Sequence, residues 1–227
     1  MRAVLLAIAL VVATGLVACG GDENEPAAPL TLEQRLLRES DVPGSKVDPV
    51  EVRLTADDLD EFTGWPEHIL AAEIDRSKLE DAGFVSAIHE TRFIPNTPGG
   101  PHTHDARHVR ILVLQFESDD GAVTGVDLVH KESLKPCPGD CAMQFEEFDV
   151  SGVPDAEGTR AFTTKESLEA TGGEGVPSDS YTIVFADGPF VYEVEGFADP
   201  GETSKKQIEE IAQKVHDRVE GAPPAET

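Results

Sequence analysis

The densest run of metal-ligating side chains is Pro101-His-Thr-His-Asp-Ala-Arg-His108, with three imidazoles and a carboxylate inside seven residues. Neutral histidine and carboxylate are the usual ligands of Zn²⁺, Ni²⁺ or Cu²⁺. In an extended segment His102, His104 and His108 share a face, and Asp105 lies among them. Arg107 adds a repelling charge and no HExxH spacing occurs, so a solvated loop competes with a Zn²⁺ site. Glu193 and Glu195 sit two apart, ~7 Å along one face of a strand, within the spacing of paired glycosidase carboxylates. Such pairs flank a sugar cleft from different elements, so these two glutamates are expected on the wet face of a half-buried strand. Gly172-Gly-Glu-Gly175 precedes Val-Pro and a strand, so no helix N-terminus follows to receive a phosphate. There is no GxSxG and no cysteine beside a histidine, which leaves nucleophilic hydrolysis without a motif.

The chain has 227 residues, 18 basic and 44 acidic, for a formal charge of −26. That balance leaves no basic surface for phosphates and argues against nucleic-acid binding. The acidic residues are dispersed and no DxDxDG loop appears. They predict a solubilising coat more than a Ca²⁺ or cationic-partner site.

Met1-Arg2 followed by the uncharged run Ala3 to Leu16 is too short for a comfortable transmembrane helix but suits the apolar region of a signal peptide. Leu16-Val-Ala-Cys19-Gly20 then resembles the lipobox of bacterial lipoproteins. That resemblance implies cleavage before Cys19, a diacylglycerol on its thiol, and a polypeptide held by lipid at the outer face of the cell membrane. The expected plan is a signal peptide over 1–18, a lipidated disordered tether over 19–29, a globular domain over 30–220 and a frayed tail over 221–227. Outside the cytoplasm, Cys137 and Cys141 in Pro136-Cys-Pro-Gly-Asp-Cys141 are expected to form a turn-fixing disulfide.

The elements that must position these residues follow from periodicity. Thr31-Leu-Glu-Gln34 is a capping box that opens a helix expected to run through Glu39. A helix is expected over 67–82 with Gly83 closing it, and another from Ser118 to Leu134. Strands are expected at Phe84–Ile94, Val109–Phe116, 143–150, 159–165, Ser180–Ala186 and Phe190–Phe197. Asp187-Gly188 marks a hairpin, and its aromatics Tyr181, Phe185, Phe190 and Tyr192 are candidate core. The last helix carries the stripe Ile208, Ile211, Ala212, Val215 and Val219. Trp65, the sole tryptophan, is expected at a core edge. The order predicts an α+β single domain, a largely antiparallel sheet with amphipathic helices packed on one face.

The lipobox, the acidic, lysine-poor composition, and the passage Val109-Arg-Ile-Leu-Val-Leu-Gln-Phe-Glu-Ser118 into a helix and then to Cys137 and Cys141 are similar in layout to a family. It comprises the PknH-like extracellular sensor domains of actinobacteria and, more loosely, LpqN-type lipoproteins. The resemblance rests on element order over roughly residues 84–220, and one internal cysteine pair stands where the family resembles a two-disulfide design. It implies an α+β sandwich with a cleft and a binding role, and carries over no ligand-contacting residue. The leading expectation is a membrane-anchored, extracytoplasmic, non-enzymatic protein that binds or senses a small molecule or protein. It needs no cofactor beyond the lipid on Cys19. Loops 95–108 and 166–178 are the expected contact regions. A metal-binding lipoprotein using His102, His104 and His108, or a cell-envelope hydrolase, is the alternative.

Overall fold

Alternation and apolar runs decide the strands here. In the computed structural model, which describes residues 27–47, 52–56, 76–94, 107–134, 142–150, 153, 159–167, 178–198 and 205–225, the elements in chain order are these. α1 (Leu32–Arg35), β1 (Lys46–Val47), β2 (Val52–Thr55), α2 (Arg76–Asp81), β3 (Phe84–Ile94) and β4 (Arg107–Phe116) come first. They are followed by α3 (Asp119–Ser133), β5 (Ala142–Glu147), β6 (Arg160–Ser167), β7 (Ser178–Asp187), β8 (Phe190–Ala198) and α4 (Lys205–Val219). The strands form one sheet in the order β1-β3-β4-β8-β7-β6-β5, with β2 also paired to β3, and every pairing is antiparallel. The expected α+β class and antiparallel sheet are therefore what the chain adopts.

The helices, however, cover both faces and not the single face expected. On one face Leu36 and Leu37, just beyond α1, and Ile208, Ile211 and Val215 of α4 are buried against Ile111, Val113, Tyr192 and Val194. On the other, α2 and α3 bury Leu79, Ala122, Val126 and Val129 against Leu112, Leu114, Val184 and Val191. The reason lies in β4: Ile111 to Leu114 are four consecutive residues, each at most 1% exposed. A strand apolar on both sides needs cover on both sides.

Two further departures have local causes. α1 stops at Arg35 although its capping box forms as expected, with Thr31 N donating to Gln34 Oε1 at 2.9 Å. Leu36 turns extended, and Leu36 and Leu37 go into the core instead of continuing the helix. The stretch 221–225, expected to fray, is held: Ala222 is buried and Leu30 N donates to the Pro223 carbonyl at 3.0 Å. The hairpin forms at Gly188-Pro189, with Asp187 paired to Phe190 and Gly188 at φ +55°, a value that favours glycine. Of the expected helix over 67–82, residues 67–75 lie outside the described residues, as does Trp65.

Gly125 sets how closely α3 approaches the sheet. A Cβ there would stand 2.4 Å from Phe116 Cζ and 3.1 Å from Val191 Cγ2. Alanine favours a helix interior over glycine by about 1 kcal/mol. Overpacking a buried ring costs about 1–3 kcal/mol. Gly125→Ala is therefore expected to destabilise by about 1 kcal/mol in urea unfolding, where an open helical glycine would show a gain.

Candidate functional site

At one end of the sheet the described ends of six strands lie side by side. Ile94 pairs with Arg107, Ala142 with Ser167, Glu166 with Ser178, and Asp179 with Ala198. Segments 95–106, 135–141, 168–177 and 199–204 thus all join the sheet at this loop end. The Gly188 hairpin marks the opposite end. The two loops expected to carry contacts are among those four segments.

The floor beneath this end is polar. Antiparallel partners share a face, so Thr91, Arg110, Glu195 and Thr182 form one row across β3, β4, β8 and β7. His89, Leu112, Glu193 and Val184 form the next. This is the α3 side of the sheet, and the apolar part of the same face carries Leu114, Val191 and Phe162. Sequence alternation turns apolar to polar along β4 and β8, and that switch gives the face its two halves.

At the centre Arg110 lies between two carboxylates. Its Nη2 donates to Glu193 Oε1 at 3.4 Å, and its Nε pairs with Glu195 Oε2. The side chains of Arg110, Glu193 and Glu195 are 17%, 4% and 14% exposed. Burial pushes the Glu193 carboxyl up to about 7; Arg110 pulls it down and Glu195 pushes it further up. Burial works against the Arg110 charge, but Glu195 and Glu193 outweigh it and hold the guanidinium above its ordinary value. Of the glutamates expected on a wet strand face, Glu193 is thus buried and Glu195 largely so, and both pair with Arg110. A carboxylate so engaged is not poised as one of a glycosidase pair.

Of the residues singled out in the sequence, His108 is half-buried on β4, in the row paired to Phe93 and Phe197 and on the same face as Arg110. His102, His104, Asp105, Cys19, Cys137 and Cys141 lie outside the described residues. Among the described residues no group of three or more His, Cys, Asp or Glu side chains is arranged to hold a metal ion. No described helix is long and apolar enough to cross a membrane. The hairpin aromatics Phe185, Phe190 and Tyr192 are core, as expected, with Phe185 and Tyr192 stacked at 5.0 Å.

No family model matches the chain, and no curated protein does. A solved structure shares its fold. This is the extracellular domain of PknH from Mycobacterium tuberculosis, 17% identical, with a TM-score of 0.52 over 86% of this chain and 97% of that one. At that identity the likeness is one of fold. The PknH-like architecture expected from element order is therefore present, with the polar triad of Arg110, Glu193 and Glu195 built into its central strands.

Missed in the sequence was Arg110. Its partners lie over 80 positions away, and only the β4–β8 register brings them beside it. The available signal was weak: an arginine inside the apolar run Val109–Leu114 has one side chain to bury and needs counter-charge.

Proposed function

We propose that this chain is an extracytoplasmic, lipid-anchored binding or sensing protein whose recognition surface is the loop end of its sheet. The observation that carries the reading is that the strand ends joined by four connecting segments lie side by side there, over a floor of buried polar groups. Loops on a rigid scaffold are where recognition is built. The shared fold with the extracellular domain of PknH supports the same reading.

The course of the chain gives the site a direction. Leu30, where the tether of residues 19–29 would enter, bridges to Pro224 just beyond α4. Gly221, at that same point, donates its N–H to Asp187 Oδ1 beside the hairpin. Entry is therefore at the hairpin end, roughly 30 Å along a ten-residue strand from the loop end. An acyl chain on Cys19 would leave the loops facing away from the bilayer. A Cys137–Cys141 disulfide would brace one of the four segments at that far end.

Cys19→Ala is expected to move the expressed full-length protein from the detergent-rich to the aqueous phase in cloud-point partitioning. Mass spectrometry of the wild type is expected to find an acylated Cys19 at the mature N-terminus. Binding is then tested on the domain beginning at Leu30 with phospholipid headgroups, muropeptides and short glycans, followed by hydrogen exchange. Protection gathered at 107–110, 178–182 and 195–198 is the expected result. Wild type and variant partitioning alike, or protection centred on the hairpin end, would overturn the proposal.

A further inference from the structure

The triad at the loop end carries an imbalance that burial does not tolerate. One guanidinium faces two carboxylates, so the fully ionised cluster holds a net charge of −1 at side-chain exposures of 17% or less. Carboxylates that share a buried site cannot both ionise freely, and one of them keeps a proton to higher pH. Burial decides which. Arg110 faces both carboxylates, but the Glu193 side chain is 4% exposed against 14% for Glu195, so ionising Glu193 costs more desolvation. Glu193 is therefore the proton holder.

Among the described residues the other titratable groups around the cluster are these. From β3 the nearest titratable side chain is His89, in the Glu193 row, and from β4 it is His108, beyond Arg110. β7 presents Thr182 and Val184, which carry no charge. From α3, His130 packs at a tilt against the Phe162 ring and faces Glu147, and Asp127 pairs with Arg160 of β6. Among the described residues Arg110 is the cation that contacts both glutamates.

We propose that Arg110, Glu193 and Glu195 form a proton-operated latch across the β4–β8 seam. With one proton on Glu193 the cluster is neutral and the loop end of the seam is tight. Loss of that proton leaves a buried, uncompensated negative charge and loosens β4 from β8 at the end where the connecting segments join. The device depends on neither the lipid anchor nor any ligand, so it stands or falls separately from the proposed function.

The sign of the pH dependence follows. The unfolded carboxyl releases its proton near 4.5 and the folded one near 7. Between those values the folded state holds the extra proton, so stability falls as pH rises through that window. The wild-type melting temperature is expected to fall by roughly 5–10 °C more than that of Glu193→Gln between pH 5 and pH 8. Glu193→Gln should be the more stable protein at pH 8, with slower hydrogen exchange over 107–114 and 191–198 at that pH. Histidines titrate in the same window but are common to both proteins, so the difference isolates Glu193. A carboxyl ¹³C titration of the wild type needs no variant. It should show one glutamate titrating above pH 6, which moves down in Glu195→Gln because Arg110 then serves a single carboxylate. Parallel melting profiles for wild type and Glu193→Gln, or every wild-type glutamate titrating below pH 6, would overturn the latch.

Discussion

Arg35→Met should lower the melting temperature by about 12 °C, from a loss of about 4 kcal/mol spread over a domain of this size. Arg35 is fully buried. Its Nη1 donates to Tyr192 Oη at 2.6 Å, and its Nη2 donates to the Ala222 and Pro223 carbonyls at 2.8 and 3.0 Å. The guanidinium carbon stands 3.7 Å above the Phe190 ring. One side chain thus ties α1, β8 and the C-terminal stretch together. Methionine fills much of the volume and replaces the stem, so the expected loss is chiefly polar. A buried phenol and two buried or half-buried carbonyls lose their donor, each at about 1–3 kcal/mol before relaxation. Cation–π contact with a desolvated ring adds about 1–2 kcal/mol. The damage should be local as well as global. Hydrogen exchange should speed up first in residues 30–42 and 221–225, because the Leu30–Pro224 bridge depends on the same clamp. A loss under 1 kcal/mol, or uniform acceleration over the whole sheet, would mean that Arg35 is passive filler.

The strands were legible in the sequence because their signal is local. Phe84–Ile94 matches its expected bounds, and Asp187-Gly188 places the hairpin that joins β7 to β8. The end of α1 was not legible. Leu36 and Leu37 fit a helical stripe as well as they fit a turn into the core, and tertiary burial decided between them. Both-sided cover was readable in principle from Ile111 to Leu114, since alternation fails there. The Leu30–Pro224 closure had no local signal, because Gly-Ala-Pro-Pro is ordinary tail composition until Arg35 binds its carbonyls. The candidate site failed for a similar reason. Glutamates at alternate strand positions usually mark a wet face. Only the register that sets Arg110 opposite Glu195 shows that these two face inward around a cation.

Removing that cation should have the second large effect, and one that depends on pH. Arg110→Met leaves Glu193 and Glu195 buried with no counter-charge. Breaking a buried ionic cluster by deleting one partner costs about 3–5 kcal/mol. At pH 8 the full loss is expected, because the Glu193 carboxyl must then ionise without its cation or hold its proton against the bulk. At pH 5 the loss should shrink to about 1–2 kcal/mol, since Glu193 already holds its proton and one charge fewer is left without a counter-ion. The variant should thus lose stability more steeply with rising pH than the wild type. The reason is one of proton counting: without Arg110, which pulls the Glu193 carboxyl down, that carboxyl holds its proton further above the pH at which the unfolded chain has released it. Adding Glu193→Gln and Glu195→Gln to Arg110→Met should restore most of the stability, because no charge then remains in the seam, although the amides still need partners. Denaturant unfolding at the two pH values measures all three proteins. If Arg110→Met cost the same at pH 5 and pH 8, or if neutralising both glutamates recovered nothing, the arginine would be holding the seam by packing of its stem. The two carboxylates would then have no electrostatic claim on the loop end.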